Sequence, residues 1–454
     1  MGMKSGFARI ALAVGLGLAA PIAKAETLAQ ALVDAYQNSG LLEQNRALLR
    51  AADEDVAMAV ASLRPIINWS ATAKHSWSDF APAGDFLAFS TTIAGEMTLY
   101  DGGSGAIAVD AQRETVLGTR EALRGVEQQV MFRAIQAYLN VRRDIEFRTL
   151  RESNVRVLTQ EFRAAQDRFD VGEVTRTDVS FAEARLAAAR SLLAAAEGSL
   201  ARSQEEFRAA VGRAPGNLSP AAAAPIARSL EEAKSYAQQH HPSVLETRHS
   251  VSAAELLIAR AEAAFGPAVK LNGFASIDQD GNDVGEVGVT VSAPIYMGGR
   301  LDSAFRQIVA RRDAARAGLH IVAASVEQGV GNAYANYSVA VAGRQAYEQQ
   351  VSAARVAWEG VREEAALGAR TTLDVLNAEQ ELLNAQASYV SAQVDEVIAS
   401  YAILASMGLL TAEHLRLPVQ IYDPEAYYNT VQNAPQDQSA QGRALHRVLQ
   451  ALGK

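Results

Sequence analysis

Cysteine is missing altogether from this chain of 454 residues. Its absence excludes disulfides, thiolate metal sites, a cysteine nucleophile and lipid attachment through an N-terminal cysteine. Long apolar runs are missing as well. Past the first 25 residues no stretch of about 18 apolar residues occurs, so no membrane-spanning helix is predicted. Proline is scarce, with 12 in all, and none stands between Gly103 and Gly172 or between Gly299 and Gly368. Neither a phosphate-binding glycine loop nor a G-x-S-x-G nucleophile elbow is present. No cofactor is expected, and any ATP-driven step belongs to another protein.

The N-terminus reads as an export signal. Lys4 and Arg9 supply a positive segment, Ile10 to Ala20 an apolar core, and Ala23-Lys24-Ala25 a small-x-small cleavage site. Cleavage after Ala25 makes residues 1–25 a signal peptide. Losing Lys4, Arg9 and Lys24 takes the formal charge from −9 to −12, which argues against a nucleic-acid partner. An exported chain with neither a membrane helix nor a lipid anchor is soluble, secreted or inserted as β-structure.

What is present is a repeat. Shifted by 202 positions, residues 28–73 align without a gap on 230–275; Arg46 and Pro65 meet Arg248 and Pro267. Shifted by 196, the match runs from Leu99 to Gly212, and Tyr100, Gly102, Gly103, Tyr138, Gly172, Thr175, Asp178 and Glu183 recur as Tyr296, Gly298, Gly299, Tyr334, Gly368, Thr371, Asp374 and Glu379. One inserted residue would turn every later helical side chain by about 100°, so an uninterrupted match predicts long rigid helices. The chain is a tandem duplication: 26–212, a linker at 213–229, then 230–412.

Each copy has the same internal order. A helical stretch ends at Pro65 or Pro267, which cannot continue it. Strands are predicted over 66–78 and 87–100, and over 268–278 and 286–297. Ile67, Trp69, Ala71 and Ala73 alternate with Asn68, Ser70, Thr72 and Lys74, and Val287, Val289 and Val291 with Gly288, Thr290 and Ser292. Period two with one apolar side means a sheet greasy on one face, with Phe274 out of phase. The proline-free stretches follow. Leu301, Phe305, Ile308, Ala315, Leu319, Val322 and Val326 take steps of mostly three and four, a coiled-coil seam on helices on the order of 100 Å long.

Between each pair of long helices stands a repeated polar phrase, VGEVTRTDV from Val171 and LGARTTLDV from Leu367. It forms a hairpin tip. Gly172 and Gly368 stop the incoming helix. Thr175 with Asp178, and Thr371 with Asp374, make capping boxes for the outgoing one. A turn signal accounts for these residues but leaves Arg370 and Arg176 without a role.

The duplicated G-x-x-T-x-x-D-V phrase, the strand endings LYDGG and PIYMGG and the signal peptide together resemble the TolC family of outer-membrane export channels, over the mature chain to about residue 430. The resemblance implies a mostly α, α+β fold with long helical hairpins building an α-barrel. Four strands per chain would contribute to a twelve-stranded outer-membrane β-barrel shared by a homotrimer. Independently, four strands cannot close a barrel, and open edges are forbidden in lipid. The resemblance further implies a periplasmic helical part, a periplasmic adaptor and an inner-membrane pump, ABC or proton-driven. At the tips it implies a gate: Asp374 in a constricting acid ring, and Arg370 tying its hairpin to a neighbour through the partners of its family counterpart, Thr177 and Asp178. A second acidic ring position is Asn377 here, and a latch tyrosine is Ala365. The alternative is a periplasmic coiled-coil adaptor or surface fibre, which would not need one-faced strands in both copies.

Other motifs read as structure. Asp278, Asp280, Asn282 and Asp283 resemble a calcium loop, but the glycine is misplaced, and Asp-Gly-Asn between strands is turn chemistry. A loop joining two strands whose other ends feed helices should face the exterior. His240-His241-Pro242 aligns with Asn38-Ser39-Gly40, a junction of short helices, and no metal is expected there. Residues 413–432 are expected to pack outside the helices, and 433–454 to be a disordered tail with an optional terminal helix.

Overall fold

Two copies of one helical plan, each interrupted by a strand pair, account for most of the molecule. The computed structural model describes residues 26–76, 86–436 and 439–451. The expected signal peptide and most of the loop expected at 78–87 lie outside the described residues. The first copy runs α1 (Leu28–Asn38), α2 (Gly40–Ala61), β1 (Ile66–Ser76), β2 (Phe86–Tyr100), α3 (Ser104–Asp170) and α4 (Arg176–Val211). The second runs α5 (Leu230–His240), α6 (Pro242–Ala263), β3 (Ala268–Asp278), β4 (Asp283–Ser292), α7 (Arg300–Ala366) and α8 (Thr372–Ser406). Two short helices, α9 (Pro424–Val431) and α10 (Ala440–Ala451), complete the chain. Both α3 and α7 have 67 residues, about 100 Å at 1.5 Å per residue.

Glycine marks where the hairpins meet the short helices. Gly212 (φ +90°) closes α4, and a Cβ there would lie 2.7 Å from Cβ of Asn38, whose amide donates to the Val211 carbonyl at 3.3 Å. Gly408 (φ +80°) follows α8, and its Cβ would lie 2.8 Å from Cδ of Pro242. Each return helix thus ends on the junction of its copy's short helices. Helices α2 and α4 both pack along α3, and α6 and α8 both pack along α7. Contacts of α3 with α6 and α8 join the copies. The main core lies at that level, around Tyr138, Ile135, Met131, Phe207, Leu42 and Ile403. The Tyr138 hydroxyl lies 2.8 and 2.7 Å from the carbonyl oxygens of Glu26 and Ser219, tying the chain start to the linker. His241 caps α6, its Nδ1 accepting from the Ser243 N–H at 3.2 Å, as Ser39 caps α2.

The strands form one antiparallel sheet in the order β1-β2-β3-β4. Odd-numbered residues pair with odd-numbered residues across all three ladders, up to an irregularity between Thr98 and Tyr100. One face therefore gathers Ile67, Trp69, Phe89, Ile93, Leu271, Val287, Val289 and Val291. It is left bare, with Val287 81% and Trp69 70% exposed. The other face is polar: Lys270 pairs with Glu96 at 2.7 Å, the Thr92 hydroxyl bonds Ser276 at 2.9 Å, and the Asn272 amide donates to Thr290 at 3.0 Å. Phe274 sits on this polar face, opposite Ala94 and Glu286.

One expectation needs correction, and one option is decided. The fourth strand is Asp283–Ser292, not 286–297. It starts early because the turn is tight: the Asp278 carboxylate takes the N–H groups of Asp280 and Asn282 at 2.9 and 2.8 Å, and Gly281 adopts φ +81°. It stops early because Pro294 has no N–H to offer. The tail, expected to be disordered apart from an optional terminal helix, carries that helix as α10. Leu445 and Leu449, one turn apart, close on Ala57, Tyr427 and Val431. The Arg64 guanidinium donates to the Ala434 carbonyl at 2.7 Å and to that of Asn433. Among the described residues no helix is long and apolar enough to cross a membrane.

Asp53 of α2 is fully buried, and both its carboxylate oxygens lack a hydrogen-bond partner among the described residues. Desolvation outweighs the attraction of Arg120, and its carboxyl is pushed up from 3.8 to about 7. Across that window the native chain keeps a proton the unfolded chain has lost, so stability falls as pH rises and stays reduced above it. Asp53→Asn should raise the thermal midpoint at about pH 8 and leave it almost unchanged at about pH 4. An equal shift at both pH values would show that ionisation is not the cause.

Candidate gate at the hairpin tips

The two tips close by the same bonds. At the first, α3 ends at Asp170 and Gly172 turns left-handed (φ +80°), letting the N–H of Glu173 reach the Arg168 carbonyl at 2.8 Å. At the second, Gly368 (φ +78°) lets the N–H of Ala369 reach the Glu364 carbonyl at 2.9 Å. This six-to-one bond satisfies a carbonyl that the helix end would leave bare, and it needs the positive φ that glycine permits. The outgoing helices begin on capping boxes. The Thr175 N–H and hydroxyl donate to Asp178 Oδ2 at 3.0 and 2.7 Å, and Thr175 Oγ1 accepts from the Asp178 N–H at 3.3 Å. The same three bonds join Thr371 and Asp374 at 3.0, 2.8 and 3.2 Å.

Asp374 is therefore fixed by the backbone it caps. Its carboxyl is held below the ordinary range by the Thr371 N–H and hydroxyl, with Arg370 adding a smaller attraction. Arg370 donates through Nε to Glu364 Oε2 at 2.7 Å, across the turn of its own hairpin. That bond and the charges of Glu364 and Asp374 hold its guanidinium more firmly protonated than usual. Among the described residues no hydrogen bond or ion pair joins Arg370 to Thr177 or Asp178; both lie on the other tip. Thr177 makes no side-chain hydrogen bond among the described residues, and the Ala365 methyl has no group to make one.

Asn377 does link the hairpins. Its Oδ1 accepts from Nη2 of Arg185, on α4, at 3.0 Å. Its neighbour Leu376 packs with Leu158, Leu186 and Ala189 of the first hairpin. Beside it, Asn154 of α3 donates to the buried Glu379 of α8 at 3.0 Å. Sequence reasoning missed these last contacts. Glu379 was visible only as the repeat of Glu183, yet Glu183 is exposed and Glu379 is not. No letter distinguishes them.

The tips, the sheet and the repeat together invite comparison with known proteins. The family model for the outer membrane efflux protein matches residues 31–213 and 234–409, one span per copy. The chain belongs to the outer membrane efflux protein family. It is 37% identical over 428 residues to the outer membrane efflux protein BepC of Brucella suis, spanning 92% of this chain and 93% of that one. With the outer membrane protein TolC of Vibrio cholerae it shares 27% over 418 residues, 88% and 95% of the two chains. The fold is also that of the Campylobacter jejuni CmeC outer membrane channel, at a TM-score of 0.76 and 14% identity over 90% of each chain. The resemblance read from the tip phrase and strand endings is thus borne out, as is a mostly helical fold with a small four-stranded sheet. The family is one of transport channels of the outer membrane, not of enzymes.

Proposed function

We propose that this efflux protein is the outer-membrane exit duct of an export assembly, working as a homotrimer with a periplasmic adaptor and an inner-membrane pump. The observation that carries the reading is the sheet. Its odd-numbered face is bare and apolar, and β1 and β4 each leave an edge unpaired within the chain. Lipid tolerates the apolar face but not the edges, because an unmet backbone group costs several kcal/mol there. Three copies pairing β1 to β4 around an axis would satisfy every edge. The polar face would then line a water-filled lumen continuous with a tunnel of long helices. Relatives named for secretion and for efflux support a passive conduit: the alkaline protease secretion protein AprF of Pseudomonas aeruginosa, 26% identical, and the cation efflux system protein CusC of Escherichia coli, 23% identical. The chain would reach its place by the signal peptide, with the helices in the periplasm. At the tips, Arg370 of one hairpin would bridge to Thr177 and Asp178 of a neighbour, and three Asp374 carboxylates would ring the entrance.

The β3–β4 turn then faces the cell exterior. A chain without cysteine permits a single label, and Asp280 is the place for it, since Gly281 needs its positive φ. Asp280→Cys should react with an impermeant maleimide on intact cells and run as a heat-modifiable trimer in the outer-membrane fraction. Reaction only after the outer membrane is broken would reverse the orientation, and a monomer with a folded barrel would end the trimeric reading.

A further inference from the structure

We propose that Glu379 is a positioning residue of the gate, a proton-sensitive clasp that seats the second hairpin on the first. The proposal rests on the gating reading of the tips. Glu379 stands five residues past Asp374 in α8, about 8 Å along the axis. It is only 7% exposed. Its Oε1 accepts from the Asn154 amide of α3 at 3.0 Å, and its Oε2 has no hydrogen-bond partner among the described residues. One neutral donor does not compensate a buried charge, whereas a protonated carboxyl at the same place keeps the bond without the charge.

The groups around it do not restore the balance. Glu161 of α3 repels a charge on Glu379, and Arg362 of α7 attracts one only weakly against the desolvation. From α4, the Arg185 guanidinium donates to Asn377 at 3.0 Å, not to Glu379. Burial leads, the Asn154 bond opposes it, and the carboxyl is pushed up from 4.5 to about 7. Protonated Glu379 lets α8 lie on α3. Ionised, it regains hydration only when α8 lifts and water enters between the hairpins. A form in which the tips have parted would titrate nearer the ordinary value, so the seated form holds the proton more tightly. Rising pH between the two values therefore favours parting, and falling pH favours closure.

The repeat supplies a contrast. Glu183 holds the same place in α4 and is exposed, so no packed helix lies over its carboxylate. The asymmetry assigns the clasp to the second hairpin alone.

The test is the pH profile of resting conductance in planar bilayers, between about pH 5.5 and about pH 8.5. The wild-type trimer should conduct several-fold more at the alkaline end, with a midpoint near neutrality. Glu379→Gln, isosteric with the neutral acid, should stay at the low value throughout, and Glu183→Gln should keep the wild-type profile. Asn154→Leu, which removes the only donor to Glu379 among the described residues, should move the midpoint to higher pH. A wild-type profile retained by Glu379→Gln would overturn the proposal, as would a flat wild-type profile. Arg370→Ala with Asp178→Asn, measured at one pH, tests the gate separately. If that variant leaks while the wild-type profile is flat, the clasp falls and the gate stands; if it does not leak, the gating reading falls.

Discussion

Arginine at both Val287 and Val289 is expected to abolish insertion of the trimer into the outer membrane. Both valines lie on the bare face of β4, 81% and 60% exposed, opposite Gly273 and Leu271 of β3. A cationic side chain near the bilayer midplane costs about 2–4 kcal/mol on the lipid side of a barrel. Two per chain cost about 4–8 kcal/mol, comparable with the whole of the roughly 5–15 kcal/mol that commonly separates folded from unfolded states. Arginine at Thr290 or Asn272, on the polar face, should be tolerated because it would point into water. Folded trimer in the outer-membrane fraction, resolved by heat-modifiable migration, is the readout. Equal yields from the two faces would mean that the sheet has been assigned inside out.

Arg370→Ala combined with Asp178→Asn is expected to give intact trimers that leak, with resting conductance raised roughly a hundredfold. The estimate follows from symmetry: a coupling of about fivefold in each of three copies multiplies when one concerted opening breaks all three. Asparagine is chosen at 178 because that side chain also closes the capping box on Thr175, and alanine would fray the helix as well as cut the bridge. Glu364, which accepts from Arg370 within its own hairpin, offers the alternative account. If Glu364→Gln alone leaks as much as the double variant, the arginine acts inside its tip. Unchanged conductance in the double variant, with normal trimer yield, would reduce the repeated phrase to a turn signal. Asp374→Asn should weaken block by multivalent cations without leaking, since it removes ring charge and leaves Arg370 in place.

The duplication, the long helices and the tip turns were legible in sequence because each rests on local rules. An uninterrupted offset of 196 residues demands continuous helix. A glycine followed by Thr-x-x-Asp specifies both the stop and the restart. Alternation in β1 and β4 specifies a face, since side chains in a strand point to opposite sides by turns. The family likeness was legible for the same reason, being carried by those phrases in their order.

Tertiary structure decided what lies between elements distant in the chain. The fourth strand begins at Asp283 because the Asp278 carboxylate gathers the turn around itself, a bond network that composition does not announce. The tail is helical because Leu445 and Leu449 find Tyr427 and Val431; without that partner its polarity reads as disorder. Asp53 and Glu379 are ordinary acids in an alternating pattern until α3 packs across them and removes their water. Glu183 and Glu379 are the same letter at the same place in the repeat, and only packing separates a solvated carboxylate from a buried one. Periodicity tells which way a side chain points; desolvation depends on what arrives from elsewhere in the chain.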